Sequence, residues 1–472
     1  MTSRITLALT LLAAAPALAQ PAAKQPAPTP SAKPAPVASA ATDDMAAFDK
    51  DLDALFATGG LTSAQAASRA GAASPAVRRK VAEIEAAVTQ VDAAELTRVP
   101  IVSGKLSYTR LSDVPPLQFL GMSFAPVLNS YLGEAQLVVP LSDYVLRYPK
   151  LIDAAKLGAD VAQLGKRSTE VGAGQDARLA YYEWVRAKLQ VLIARRQLLQ
   201  VQRTLGQVRA LAEVQRLSKA DLLRVESQEA QAEQVLDQLE NLALLREEQL
   251  RLLIGAPATE PLAIGEDIRA DVAGASSAQL DELLGTAKRQ RLEFRTIDTG
   301  IAAKEKQREA EKANQLPRLS AVAVADYADP NQRIFPAEDK FKLTWSVGAQ
   351  LTWTLNDALI SRTTDRRITA EANELRADRE NLERGTRIEL LAAQQAVAIA
   401  QHSLTTSQKG LTAAEEGYRV RKELLNADRA TAVELVDAET ELTRSRIAAL
   451  NARVDLRVAR AQLEHALGND AK

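Results

Sequence analysis

The fold of this protein is decided by one stretch of its sequence, residues 341–355, which reads FKLTWSVGAQLTWTL. Apolar side chains occupy every odd-numbered position of this stretch, and small or polar residues occupy every even-numbered one. Strict alternation over this length is typical of a β-strand with one apolar face and one polar face. A strand that crosses a membrane needs about 9–11 residues, so the stretch fits either a half-buried soluble sheet or a membrane barrel.

The same kind of strand occurs once more, in the first half of the chain. Residues 136–143 read QLVVPLSD and residues 350–357 read QLTWTLND, with the same length and spacing. Each octet comes at the end of a region that contains two extended runs. These two regions are at about 99–140 and about 318–355. The sequence therefore predicts two strand hairpins, one in each half.

Two unusually long helices follow the second hairpin. Residues 362–424 contain no proline and only three glycines, and residues 430–467 contain neither. At 1.5 Å per residue the first helix would run ~95 Å. A heptad seam in the last helix indicates a coiled coil, with mainly large residues on one line and small residues three positions later. The two lines are Leu435, Leu442, Ala449, Leu456 and Leu463, and Ala438, Ser445, Ala452, Ala459 and Ala466.

The second half of the chain repeats the first. A shift of 213 residues places Ser218 on Thr431, and an acidic residue follows each of them three positions later. This is the pattern of a capping box at the start of a helix. The same shift places Gly255 on Gly468, where we expect helix C-caps. We therefore predict a duplicated domain in which each half contains short helices, a strand hairpin and two long helices.

The predicted fold class is mainly α with a small β part, arranged as two repeats. The segments are a signal peptide at 1–19, a Pro/Ala-rich linker at 20–44, a first repeat at 45–255 with long helices at about 147–254, a connecting loop at 256–277, a second repeat at 278–468 with long helices at about 358–467, and a C-terminal tail at 469–472. The prediction of a signal peptide is based on a positive residue, a short apolar run and a small-x-small cleavage site. No later apolar stretch is long enough to span a bilayer as a helix, so we expect any membrane crossing to use strands.

Composition excludes several classes of protein. The 472 residues carry a formal net charge of -1, which is not the basic field that a nucleic-acid-binding protein needs. The absence of cysteine excludes disulfides, thiolate metal sites and cysteine nucleophiles. Only His402 and His465 are available for imidazole chemistry, and neither has ligand partners at metal spacing. We therefore expect no enzyme activity, no cofactor and no metal.

Neither the strands nor the helices are complete in one chain. Four strands cannot close a barrel, and lipid does not tolerate open sheet edges, so a membrane location requires several chains to share one barrel. Very long helices with narrow seams also need neighbours on both sides. Other classes of protein stay open at this point: a structural periplasmic coiled-coil protein, a periplasmic adaptor of an efflux system, and a simple coiled-coil dimer.

Four segments of the repeats are distinctive in their order and spacing. They are 218–228 (SKADLLRVESQ), 431–442 (TAVELVDAETEL), 450–456 (LNARVDL) and 466–468 (ALG). Shorter matches precede the hairpins at 61–66, 280–284 and 314–317. Together these segments resemble the TolC-type outer-membrane efflux protein family, the outer membrane factors, over about residues 60–468. The chain departs from that family at the hairpin tip, 419–430, which is longer by about one heptad and lacks glycine.

The resemblance implies a homotrimer in the cell outer membrane that extends into the periplasm. Twelve shared strands would form a β-barrel in outer-membrane lipid, and the long helices would form a periplasmic α-helical barrel. Such proteins are passive exit ducts for transmembrane transport and involve no cofactor. Their partners are a periplasmic adaptor (membrane fusion protein) and either an inner-membrane pump or the ABC exporter of a type I secretion system. The sequence does not indicate the transported substrate, and the missing cysteine excludes the lipid-anchored branch of the family.

The resemblance also implies a periplasmic gate just beyond the last hairpin tip. The acidic positions of the family's tunnel mouth fall on Glu434 and Asp437, with Arg429 as a candidate partner. Three residues apart on one helix, the two carboxylates share a face, and threefold symmetry would gather six of them around the axis. The alternative is that Glu434 only completes a helix cap and Asp437 is a solvated charge.

A second set of candidate residues comes from the alternating strand. If it crosses a membrane, its odd-numbered side chains face lipid, whereas in a soluble sheet they would face a core. The candidate lipid-facing residues are Leu343, Trp345, Val347, Leu351 and Trp353.

Overall fold

The computed structural model describes residues 48, 50–113, 115–119, 122–124, 127–215, 217–270, 279–335, 338–427 and 429–471. The predicted signal peptide at 1–19 and the predicted linker at 20–44 lie outside the described residues, as do residues 271–277 of the predicted connecting loop. Among the residues that are described, no helix combines the length and the apolar character needed to cross a lipid bilayer.

The first half of the described chain contains short helices, strands and then two long helices. In chain order its elements are β1 (Phe56–Leu61), α1 (Ser63–Ala73), α2 (Pro75–Leu96), β2 (Ile101–Arg110), β3 (Leu117–Phe119), β4 (Met122–Phe124), β5 (Asn129–Val139), α3 (Leu141–Leu146), α4 (Tyr148–Glu213) and α5 (Lys219–Ile254). The two long helices have 66 and 36 residues.

The second half repeats this order. Its elements are α6 (Leu280–Gln290), α7 (Leu292–Ala313), β6 (Arg318–Asp329), β7 (Lys342–Thr352), α8 (Leu355–Asn426) and α9 (Ala432–Leu467), followed by a 3₁₀ turn at Asn469–Ala471. Helix α8 has 72 residues and is therefore ~110 Å long. The two-repeat order of short helices, strands and two long helices is the one predicted from the sequence.

The ends of the long helices show why the two halves fold alike. Ser218 and Thr431 are the N-caps of α5 and α9, and each side-chain oxygen accepts a hydrogen bond from the backbone N–H three residues later. Gly255 and Gly468 are the C-caps, both in the left-handed conformation that glycine adopts most easily. The predicted capping boxes are wrong in one respect: in neither helix does the acidic side chain bond back to the N-cap backbone. The Asp221 carboxylate accepts a hydrogen bond from the hydroxyl of Ser218, and the Glu434 carboxylate accepts one from Arg421.

The four long strands form one antiparallel sheet in the order β2-β5-β6-β7. The two repeats meet at its centre, where β5 pairs with β6 and Gln136 lies opposite Val324. The short strands β3 and β4 form a separate hairpin within the connection between β2 and β5. Within the described part of the single chain, β2 and β7 each pair on one side only.

Strand β7 is shorter than the alternating sequence predicts. The alternation runs to residue 355, but the last paired residue is Thr352, opposite Arg318. The partner strand cannot continue the ladder because Pro317 has no N–H to donate. Trp353 instead donates its indole N–H to the carbonyl of Gln315 at 3.3 Å, and Leu355 begins α8, three residues before the predicted helix start at about 358.

The core lies in the middle of the helical part, around α4. Tyr181, Trp184 and Leu189 of α4 are nearly fully buried there, beside Leu250 of α5 and Val454 of α9. Helix α9 packs against both α4 and α8. Seven residues of its predicted seam are buried: Leu435, Leu442, Ala449, Leu456, Ala452, Ala459 and Ala466. The other three, Ala438, Ser445 and Leu463, are half-buried.

A close backbone crossing ties the connecting loop to this core. The N–H of Leu61 donates to the carbonyl of Ala263 at 2.8 Å, and the N–H of Gly265 donates to the carbonyl of Leu61 at 2.9 Å. A Cβ atom on Gly60 would lie 2.7 Å from the backbone nitrogen of Gly265. Glycine is therefore required at this crossing because no side chain fits between the two segments.

Candidate functional site

Two helical hairpins meet at one end of the molecule. In the first, α4 ends at Glu213 and α5 begins at Lys219; in the second, α8 ends at Asn426 and α9 begins at Ala432. The two hairpins thus have turns of the same length. Residues 419–426 of the tip belong to α8, so most of the tip continues that helix.

An apolar cluster joins the two hairpins near these turns. Leu205 and Val208 of α4, Val225 of α5, and Ala432 and Val436 of α9 are each at most 2% exposed and contact one another. The start of α9 is therefore fixed against the first repeat as well as against α8.

Glu434 occupies the third position of α9, just above this cluster. Its backbone N–H donates to the hydroxyl of Thr431 at 3.3 Å, and its carboxylate accepts a hydrogen bond from Arg421 of α8 at 2.8 Å. The pair links the two helices of one hairpin. Arg429, the candidate partner, is exposed in the turn, where its backbone N–H donates to the carbonyl of Leu424 at 2.8 Å.

Asp437 lies one turn further along α9 and faces the other repeat. Its carboxylate is 3.6 Å from the guanidinium of Arg224 on α5. Arg224 and Asp437 are equivalent positions of the two repeats, 213 residues apart. The duplication has thus placed opposite charges at equivalent positions of the two repeats, and these charges form an ion pair between the repeats.

The two predicted gate carboxylates line one groove of about 490 Å³ between α8 and α9. Opposite them, the residues of α8 that line the groove between 410 and 417 are all glycine or alanine, and these small side chains leave the groove open; Tyr418 and Arg421 follow them. The lining residues are Gly410, Ala413, Ala414, Gly417, Tyr418, Arg421, Glu434, Asp437, Ala438 and Glu441.

At the other end of the molecule, the register of the sheet separates apolar from polar side chains. Residues directly opposite in an antiparallel pair point to the same face. The face that includes Leu343 and Trp345 of β7 therefore also includes Tyr327, Ala325 and Ala323 of β6. It continues with Tyr131, Gly133, Ala135 and Leu137 of β5 and with Val102, Gly104, Leu106 and Tyr108 of β2.

This face is apolar along most of the four strands, with Arg110, Asn129 and Asp329 at the end away from the long helices, and it is not covered by the rest of the described chain. The five candidate lipid-facing residues are exposed, from 55% for Trp353 to 74% for Trp345. Tyr108, Tyr131, Tyr327 and Phe341 are in contact near the end of the sheet that lies away from the long helices, with ring centroids 5.0–6.0 Å apart.

The opposite face carries polar and charged side chains, together with the apolar Leu132, Val138, Val322 and Val324. One row across the strands consists of Lys105, Glu134, Asp326 and Thr344, each directly opposite the next. Arg333, from the connection between β6 and β7, bonds to Asp326 and Ser346 on this face.

Sequence reasoning missed the cationic members of both sites. Arg224 has a usable signal, because the repeat shift that identifies Asp437 also identifies its partner. Arg421 and Arg333 have none, since each reaches its carboxylate through a turn whose path the sequence does not determine.

The fold has solved relatives, although no protein-family model and no curated protein matches the chain. CusC, whose structures are described in terms of folding and transmembrane channel formation, has a TM-score of 0.71 at 15% identity, covering 88% of this chain and 93% of its own. The CmeC outer membrane channel of Campylobacter jejuni has a TM-score of 0.69 at 13% identity, covering 89% and 87%. The outer membrane protein VceC of Vibrio cholerae has a TM-score of 0.67 at 16% identity, covering 89% and 96%. The chain therefore has the fold of these proteins, and the predicted resemblance is confirmed at the level of the fold.

Proposed function

We propose that this chain, which shares the fold of outer-membrane efflux channels, is itself an exit duct of the cell outer membrane. Three copies form a homotrimer with a 12-stranded β-barrel in outer-membrane lipid and an α-helical barrel in the periplasm. The duct conducts substrates passively and carries out no enzymatic reaction. It works with a periplasmic adaptor and with either an inner-membrane pump or the ABC exporter of a type I secretion system.

The observation that carries this proposal is the four-stranded sheet, which combines an uncovered apolar face with two open edges. A soluble sheet would bury such a face against other elements, but here it is exposed in the single chain. In lipid the apolar face would contact acyl chains, whereas the unpaired backbone groups at the open edges of β2 and β7 would require hydrogen-bond partners. Three sheets joined edge to edge give twelve strands in a closed barrel, with the polar row facing water inside.

The long helices independently favour several copies. Ile388 and Ile399 of α8 are 70% and 69% exposed, and Leu244 and Leu252 of α5 are 63% and 74% exposed. These apolar residues lie on the two outermost long helices of the chain, since α4 and α9 are the pair in contact between them. A ring in which α8 of one copy packs against α5 of the next would cover them.

The two alternatives from the sequence fit the architecture less well. A periplasmic adaptor has one helical hairpin flanked by small β-domains, whereas this chain has two hairpins that join one sheet. A purely structural coiled-coil protein has no need of an apolar sheet face. Both alternatives would place the protein in the periplasmic fraction.

We further propose that Glu434 and Asp437, with Arg429 in the adjacent turn, belong to the periplasmic gate. Their support is their position beside the apolar cluster where the two hairpins meet. Because Arg421 and Arg224 lie against these carboxylates, the gate is held by ion pairs and is not a bare acidic ring. Opening would separate α9 from the first repeat, and so break the pair between Asp437 and Arg224.

The proposal is tested by labelling single-cysteine variants of the native, cysteine-free protein in outer-membrane vesicles with a membrane-impermeant maleimide. Lipid-facing positions should be protected, and positions on the polar face should react through the pore. The protected set is Leu343, Val347 and Leu351, and the matched reactive set is Thr344, Ser346 and Gln350.

Every variant should react equally after denaturation, which controls for intrinsic reactivity. A heat-sensitive trimer on a gel and an outer-membrane location should accompany the pattern. Equal labelling of both sets in the native protein, or recovery of the protein in the soluble periplasmic fraction, would contradict the duct.

A further inference from the structure

We propose that Arg333 sets the charge selectivity of the outer mouth of the channel, by neutralising carboxylates on the polar face of the sheet. This inference rests on the proposed function, because it requires that the polar face line a pore. It concerns the end of the barrel away from the helices and is independent of the periplasmic gate.

The connection between β6 and β7 is held down on the polar face by Asn331. This residue is only 4% exposed. Its side-chain amide donates to the carbonyl of Lys342 at 3.0 Å and to the hydroxyl of Thr344 at 3.1 Å. Its side-chain carbonyl accepts from the backbone N–H of Arg333 at 3.0 Å. Asn331 thus bonds both to the following strand and to Arg333. These bonds fix the position of the Arg333 backbone relative to the sheet.

The guanidinium of Arg333 then lies over the strands. It is 3.0 Å from the carboxylate of Asp326 on β6 and donates to the hydroxyl of Ser346 on β7 at 3.1 Å. Asp326 is mostly buried by this contact, with 15% of its side chain exposed, while Arg333 stays 43% exposed. The arginine therefore faces the space above the polar face.

The strand register explains why a cation is needed at this point. Glu134 lies directly opposite Lys105 on one side and directly opposite Asp326 on the other. Like charges at directly opposed positions repel, so Glu134 and Asp326 together need one more positive charge than Lys105 supplies. Arg333 supplies it from the connection.

The charges of the row balance only when Arg333 is counted. Lys105 and Arg333 oppose Glu134 and Asp326, so each chain contributes no net charge to the row. The nearby Lys342 and Glu338 are 3.4 Å apart and offset each other. In a trimer, loss of Arg333 would leave three uncompensated negative charges in this row, one from each chain. Fixed charges of one sign in a narrow opening attract ions of the opposite sign and repel the others.

The test is the ratio of potassium to chloride permeability of purified trimers in planar bilayers, measured in a KCl gradient. Arg333→Gln should raise this ratio by roughly threefold at about 0.1 M salt and by less at about 1 M, where charges are screened. Asp326→Asn should lower the ratio. The double variant Arg333→Gln/Asp326→Asn should return it to the wild-type value, which a merely structural role would not do.

A matched control is Arg110→Gln. Arg110 lies at the same end of the sheet but belongs by register to the apolar face, so its loss should leave the permeability ratio unchanged. An unchanged ratio in Arg333→Gln, in trimers that conduct normally, would overturn the role of Arg333 and leave the duct intact. Absence of any conductance from the wild-type trimer would overturn the proposed function, and the inference with it.

Discussion

The ion pair between Asp437 and Arg224 gives a direct test of the gate. Replacement of Asp437 by asparagine removes the charge while it keeps nearly the same volume. The pair connects α9 of the second repeat to α5 of the first, the two helices that must move apart if the mouth opens between the repeats. We therefore expect Asp437→Asn to favour the open state.

The magnitude follows from the exposure of the pair. The two side chains are 57% and 58% exposed and the charged atoms are 3.6 Å apart. A solvent-exposed pair of this kind contributes about 0.5 kcal/mol. Three copies in a trimer would contribute about 1.5 kcal/mol to the closed state, which corresponds to about a tenfold change in the ratio of open to closed channels. The substitution leaves the buried apolar cluster that joins the two hairpins of each chain intact, so each chain should stay folded.

The assay is the open probability of single trimers in planar bilayers at about 0.1 M and about 1 M salt, since screening should shrink the difference between variant and wild type. The matched control is Glu226→Gln. Glu226 pairs with Arg209 at 3.2 Å with comparable exposure, but both residues belong to the first hairpin, so this pair does not connect the repeats. The reasoning is refuted if Asp437→Asn leaves the open probability unchanged, or if Glu226→Gln raises it as much.

Two further predictions concern stability. Gly60→Ala should lower the stability of the protein to denaturant by about 1–3 kcal/mol, because the new methyl group collides with the backbone of Gly265. Its control is Gly206→Ala in α4, where no heavy atom lies within 4 Å of the added carbon, and this variant should be more stable by about 0.5–1 kcal/mol. If Gly60→Ala proved more stable than Gly206→Ala, the requirement for glycine at the backbone crossing would be contradicted. The hydrogen bond to Asp470 raises the pKa of His465 above its ordinary 6.5, against the opposing effect of burial. The stabilisation is therefore fully present below about pH 6.5 and is lost as the pH rises through the higher folded pKa, so thermal unfolding across this range should show a pH dependence that His465→Gln removes.

The sequence by itself determined the elements and their duplication. The alternation at 341–355 and the seam from Leu435 to Leu463 indicate which face of each element meets an apolar environment. Each pattern lies within the sequence of its own element, so it can be read without knowledge of the rest of the fold. Helix ends were equally readable, because Ser218, Thr431, Gly255 and Gly468 satisfy backbone groups within one turn. A repeated pattern at a fixed shift then identified the two halves.

Tertiary structure alone decided where strand β7 stops and which charges meet. Strand β7 ends at Thr352 because its partner β6 begins after Pro317, a constraint that lies outside the strand's own sequence. The partner of Asp326 comes from a connection whose path depends on the bonds of Asn331. The partner of an exposed charge cannot be predicted from a sequence pattern, because an exposed charge is about equally stable with many partners or with water. Only the packing of one repeat against the other brings Arg224 to Asp437.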